Sequence, residues 1–177
     1  MRRFLDRLYL WSGYLGALFI VGICAAMIGQ SILRELGVRT GAVNDVVSWF
    51  CAAAAFFTMA HAFKHGDFVR VTLLLESATP ANRRRLELLS LLIACIATAY
   101  LAWSACLFTY ESWEFNDMAQ GMLPMPLWIP QLSFALGSVL LWVAVVDELL
   151  LVLRGQTPTF VRAVAERHAK GDFSSDI

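Results

Sequence analysis

The chain has 177 residues, of which 59% are hydrophobic and only 16% charged, with a mean hydropathy of +0.63; a soluble domain carries about 25% charged residues. A single soluble core cannot hide that much apolar surface in so short a chain, and the same composition excludes disorder. The formal net charge is zero, but the charges fall in blocks separated by long apolar runs.

Four stretches contain no Asp, Glu, Lys or Arg: Leu8–Leu33, Val46–Phe63, Leu88–Tyr110 and Met118–Val146. A bilayer core takes about 20 apolar residues in a helix that rises 1.5 Å per residue. Each stretch therefore predicts one transmembrane helix, with spans near residues 8–33, 44–63, 86–110 and 127–150. The expected fold is an all-α integral membrane protein: a four-helix membrane domain over residues 1–155, followed by an amphipathic tail at 156–177.

In chain order, Arg2 to Leu10 interleaves Phe4, Leu5, Leu8 and Tyr9 with Arg2, Arg3, Asp6 and Arg7, and is expected to lie along the membrane interface before the chain turns inward. The apolar run that follows spans 26 residues, too long for the 7–15-residue core of a secretory signal, so it reads as a retained helix. Gly13 and Ala17 in the first span, and Ser48, Ala52 and Ala55 in the second, form small-residue faces that allow close helix approach.

The second loop, His61 to Glu76, is amphipathic without being long enough to span. Gly66 is expected to break the second helix. Beyond it Val69, Val71 and Leu73 alternate with Arg70, Thr72 and Leu74, which places the segment at headgroup level. Thr79 suits an N-cap, with Pro80 opening the third helix. The third loop, Glu111 to Pro130, is acidic and aromatic and contains Gly121, Pro124, Pro126 and Pro130. Trp113 and Trp128 fit an aromatic belt, and Pro130 fits the first turn of the fourth helix. Asp147 and Glu148 near the end of that helix are expected either to pair with Arg83, Arg84 and Arg85 or to reach the headgroups. After Pro158, Phe160, Val161, Val164 and Ala165 share one face of a short amphipathic helix that could rest on the membrane or on a partner.

Twelve of the fourteen basic residues fall in the N-terminus, the second loop and the tail, whereas the third loop carries Glu111, Glu114 and Asp117. The positive-inside rule then places both termini in the cytoplasm. Cys24, Cys51, Cys95 and Cys106 all lie within spans, with no C-x-x-C pair, and read as buried small hydrophobes rather than a redox site. His61 and His65 share a helical face, but the remaining histidine, His168, is in the tail, so neither a metal nor a haem is expected. No hydrolase, metalloprotease or nucleotide-binding motif is present in the sequence, and the first three spans lack the mid-membrane charge that a self-sufficient transporter uses. The residues alone therefore describe a membrane subunit whose active machinery lies elsewhere. A membrane anchor of a redox complex and a self-contained small exporter remain open as alternatives.

The chain resembles the DctQ-type small membrane subunit of tripartite ATP-independent periplasmic (TRAP) transporters over roughly residues 5–155. The resemblance rests on the four spans and on the small-residue second span running into Lys64-His65-Gly66-Asp67-Phe68-Val69-Arg70-Val71. It also rests on Pro-Leu-Trp-Ile-Pro-Gln at 126–131 with Gly137 following. Phe68 stands where the family usually has His and Thr72 where it has Asp; Asn44-Asp45 replaces a common acidic pair.

The resemblance implies a bacterial inner-membrane protein with no catalytic, substrate-binding or metal residue of its own. Its partners would be a large membrane subunit, which carries the sodium ions and the transported organic acid or related solute, and a periplasmic binding protein. Lipids are further expected partners, nucleic acid is not. Candidate cytoplasmic contacts to lipid or partner are Arg70, Arg83, Arg84, Arg85 and Asp147. Trp49, Trp103, Trp142, Ala52 and Ala55 are candidates for packing or anchoring, and Arg34, Glu35, Glu114 and Asp117 for docking the binding protein.

Overall fold

The computed structural model describes residues 2–38, 40–67 and 80–169. Among them are five helices and no strand: α1 (Arg2–Glu35), α2 (Ala42–His65), α3 (Pro80–Glu114), α4 (Trp128–Leu153) and α5 (Thr159–Ala169). The first four are each long and apolar enough to cross a membrane; even the shortest, α2 with 24 residues, extends about 36 Å against a hydrocarbon core of about 30 Å.

The expected interfacial turn near Leu10 is absent, because α1 runs unbroken from Arg2 to Glu35. No proline interrupts that stretch, and Gly13, Gly16 and Gly22 are used for packing against α2 instead. Spanning helices end where a left-handed residue lets the last carbonyls find donors. At the end of α2, Gly66 takes φ 77°, its N–H donates to the Phe63 carbonyl, and the Asp67 N–H donates to Ala62, which closes the last turn. Gly37, Asn116 and Gly155 do the same for α1, α3 and α4. Pro80 is the first residue of α3, as expected; Thr79 and the Val69–Leu74 segment lie outside the described residues.

The spanning helices pack in the order α1, α2, α4, α3, with α5 against α2. The result is an open row with α1 and α3 at its edges, in which α4 is the most buried helix: 44% of its apolar window is buried, against 6% for α1. Small residues set the spacing. A Cβ on Gly137 would stand 2.6–2.7 Å from backbone and Cβ atoms of Phe56, so α2 and α4 are in backbone contact there, with Phe56 and Phe134 edge to face at 4.4 Å.

On α1 the close approach uses Gly13 against the His61 ring and Gly16 against Thr58 and Ala54, while Ala17 is exposed. The pairing of Gly13 with Ala17 is thus replaced by Gly13 with Gly16. On α2 the buried residues are Ala53, Ala54, Phe57 and Ala60, whereas Ser48 and Ala55 are exposed and Ala52 is half-buried. Helix α2 has neighbours on two sides, so its buried surface is wider than one small-residue stripe and is rotated from the stripe read in the sequence. Tyr9, Ala60 and Ala144 join α1, α2 and α4 in one core cluster.

At the opposite end of the row, residues 115–127 connect α3 to α4 as a short hairpin. The Ala119 N–H donates to Met125 and the Leu127 N–H to Asp117. Trp128 opens α4 and Pro130 sits in its first turn, where a missing donor costs no helical bond.

Candidate functional site

The charged residues that the membrane interior tolerates least gather where α1 begins and α2 and α4 end. Lys64 is in the last turn of α2, a favourable place for a cation, and its side chain is only 6% exposed. It donates to Asp147 and, at 2.8 Å, to Glu148 Oε1. Glu148 is fully buried; its second oxygen accepts the Thr159 N–H at 2.8 Å, the first residue of α5. Both carboxylate oxygens are therefore satisfied, one by a cation and one by the positive end of a helix. The Tyr9 ring of α1 lies 5.3 Å from the Lys64 ammonium, within cation–π reach.

The tail helix is fastened at its other end as well. Arg167 donates to Asp67 at 2.8 Å and to the His65 carbonyl at 2.6 Å, so it satisfies a carbonyl at the end of α2. Phe160 is buried with Leu91 and Val152, and a Cβ on Gly66 would collide with Val164 and the Phe160 carbonyl. The tail helix thus packs Phe160 and Val164 on its own membrane domain, a third seat besides the membrane or partner expected for its apolar face.

Asp147 and Glu148 pair with Lys64, and no described ion pair joins either to Arg84 or Arg85. Periodicity explains the difference: Glu148 follows Leu141 and Ala144 on the buried face of α4, the face that carries Ala144 onto Ala60 and Tyr9. Arg84 and Arg85, on α3, are exposed; Arg70 and the side chain of Arg83 lie outside the described residues. The structure therefore brings Asp147 together with Lys64 and Glu148, two residues not among the candidates.

At the opposite end, Arg34, Glu35, Glu114 and Asp117 are all exposed, the first two at the end of α1 and the others at and after the end of α3. No described ion pair links them. The organising residue here is Asp45, which accepts the Met122 N–H at 2.9 Å and the Leu123 N–H at 3.4 Å. Its carboxylate occupies the space a Gly121 Cβ would need. Gln30 of α1 adds a bond to Asn44 at 3.1 Å. In the sequence Asp45 stands out only as part of the Asn44-Asp45 that replaces a common acidic pair, and no local signal there joins it to the third loop.

Trp103 is 72% exposed, Trp142 is 38% exposed and Trp49 is half-buried. Exposed large hydrophobics also run along α1, from Leu18 and Val21 to Ile28 and Ile32, and along α3, from Leu89 and Ile96 to Leu107. No group of three or more metal-ligating side chains occurs among the described residues. His65 spends its Nδ1 on the His61 carbonyl, and the His61 ring packs against Gly13.

Four helices long and apolar enough to cross a membrane, a buried Lys64 neutralised in place and apolar flanks define a multi-pass membrane protein. A family model described as "Tripartite ATP-independent periplasmic transporters, DctQ component" matches residues 23–155. The chain belongs to this family, the small membrane subunits of TRAP transporters. The match begins within α1 and ends at Gly155, so α5 lies beyond it. No curated protein matches the sequence. Membership makes the chain a transporter component, in a family whose assemblies pair it with a large membrane subunit and a binding protein.

Proposed function

We propose that the chain is the non-catalytic scaffold of a sodium-driven TRAP importer of an organic acid or related solute, in the bacterial inner membrane with both termini cytoplasmic. In this role it holds the large transport subunit in place and helps present an outer surface to the periplasmic binding protein. The observation that carries the reading is the open row. Its charged side chains at membrane depth, Lys64, Asp147 and Glu148, are consumed by one another, whereas its flanks present continuous apolar surface. A helix layer of this kind offers contact area and no path for a solute or ion. The positive-inside rule supports the orientation, because the end that carries Lys64, Arg84, Arg85, Arg154 and Arg167 is the basic one.

The test is reconstitution. In proteoliposomes with an inward sodium gradient, solute uptake is expected only when the large subunit, the binding protein and this chain are all present, with the sodium ions and the solute bound by the other two. Uptake by this chain alone would overturn the scaffold reading in favour of a self-contained transporter. A haem spectrum in the purified chain would overturn it in favour of a redox anchor.

A further inference from the structure

With Asp147 and Glu148 taken by Lys64, Arg84, Arg85 and Arg154 at the basic end have no ion pair among the described residues. Arg84 and Arg85 lie in the second turn of α3, Arg154 caps α4, and all three are exposed. The Arg84 guanidinium reaches across the helix pair: its Nη2 is 3.9 Å from where a Cβ on Gly155 would stand, next to Arg154 in the chain. Asp67 is paired with Arg167, and no described ion pair involves Arg84, Arg85 or Arg154. The remaining acid on this stretch of α3 is Glu87, one turn beyond Arg84.

The placement also runs against local electrostatics. Helix α3 has no acidic residue in its first turn, so consecutive arginines at 83–85 stand at the positive end of its dipole, where cations are disfavoured and anions favoured. A local rule broken in this way, with no ion pair to Arg84 or Arg85 among the described residues, calls for an anion from outside. The apolar surroundings say where it comes from. Leu86, Leu89 and Ile93 on α3, and Leu150 and Leu153 on α4, are exposed directly along the membrane from the arginines, so a charged headgroup above an acyl chain matches both parts of the surface.

We propose that Arg84 and Arg154, assisted by Arg85, hold the headgroup phosphate of one anionic phospholipid at the end of the α3–α4 pair. Guanidinium forks from two helices suit a phosphate diester. The lipid would neutralise the cluster and fasten the edge helix α3 to α4 at a point where no ion pair joins the two helices among the described residues. This assignment needs only the membrane placement and is independent of the scaffold role.

The full chain, stripped of lipid in detergent, is titrated with phosphatidylglycerol, phosphatidylcholine or inorganic phosphate and read by native mass spectrometry. Phosphatidylglycerol is expected to bind at least tenfold more tightly than phosphatidylcholine, following about a fivefold gain per arginine. Arg84→Gln and Arg154→Gln should each weaken it about fivefold, and the double substitution about twentyfold. Arg34→Gln, at the opposite end, should leave it unchanged. Millimolar inorganic phosphate should not displace the lipid. Circular dichroism checks that the variants fold, as expected for exposed positions. Unchanged lipid affinity in the folded double variant, equal binding of phosphatidylcholine, or displacement by inorganic phosphate would each overturn the proposal.

Discussion

Replacing Lys64 with methionine keeps most of the side-chain volume and removes the charge, which leaves Asp147 and the fully buried Glu148 facing one another without a cation. Breaking a buried ion pair by deleting one partner costs about 3–5 kcal/mol, because an uncompensated charge stays in a medium that solvates it poorly. The upper part of that range applies to Glu148, whose oxygens have no access to water, and the lower part to Asp147, which is 20% exposed. For a chain of this size the loss corresponds to a fall in melting temperature of about 10 °C, measurable in detergent by heating aliquots and following the folded peak by size exclusion. Glu148→Gln in the Lys64→Met background should then restore part of the loss, since the amide can still accept the Thr159 N–H without carrying charge. The coupling between the two substitutions should be about 2 kcal/mol. A Lys64→Met protein that melts with the wild type would refute the reasoning, for it would mean that the carboxylates are not held as a charged pair around Lys64.

Gly137→Val should separate α2 from α4, because the new side chain meets Phe56 backbone atoms that cannot move aside; a loss of about 2 kcal/mol is expected in the same melting assay. Asp45→Ala removes the acceptor for two N–H groups of the α3–α4 hairpin, and hydrogen exchange at Met122 and Leu123 should quicken about tenfold or more, with the melting temperature little changed. Arg167→Gln should raise exchange across α5 by no more than about fivefold, since the Asp67 pair is partly exposed and screened by water. Glu148→Gln alone, with Lys64 and the Thr159 N–H competing for one amide oxygen, should quicken hydrogen exchange at the start of α5 while its far end stays protected.

The four spans were legible because lipid imposes a length and a charge-free interior, and nothing else in the chain meets both conditions. Gly66, Pro80 and Pro130 were legible for a similar reason: each has a backbone constraint that fixes where a helix stops or begins. The tail helix could be read from the spacing of Phe160, Val161 and Val164, but not its seat on α2, which depends on Gly66 leaving room for Val164.

Less legible was which charge meets which. Lys64 and Glu148 are 84 positions apart, and counting charges makes the arginines at 83–85 equally good partners. Helix order leaves both partners beside α4, which lies between α2 and α3; it is the face that carries Ala144 onto Ala60 and Tyr9 that turns Glu148 toward Lys64. Which face of α4 meets α2 is not written in any local pattern. The same holds for Asp45, whose partners are backbone N–H groups of a loop 77 positions away, and for Gly16, which replaces Ala17 because α2 approaches α1 from a slightly different angle than a four-residue stripe suggests.

The central claim, that this chain works as one part of a larger membrane transporter, is tested most directly by extracting the tagged chain from its native membrane in mild detergent. The mass and composition of what comes with it are then measured. A stoichiometric complex with one large, highly hydrophobic membrane subunit and no chromophore is expected. Recovery of the chain only as a homo-oligomer, or bound to a pigmented protein, would contradict it.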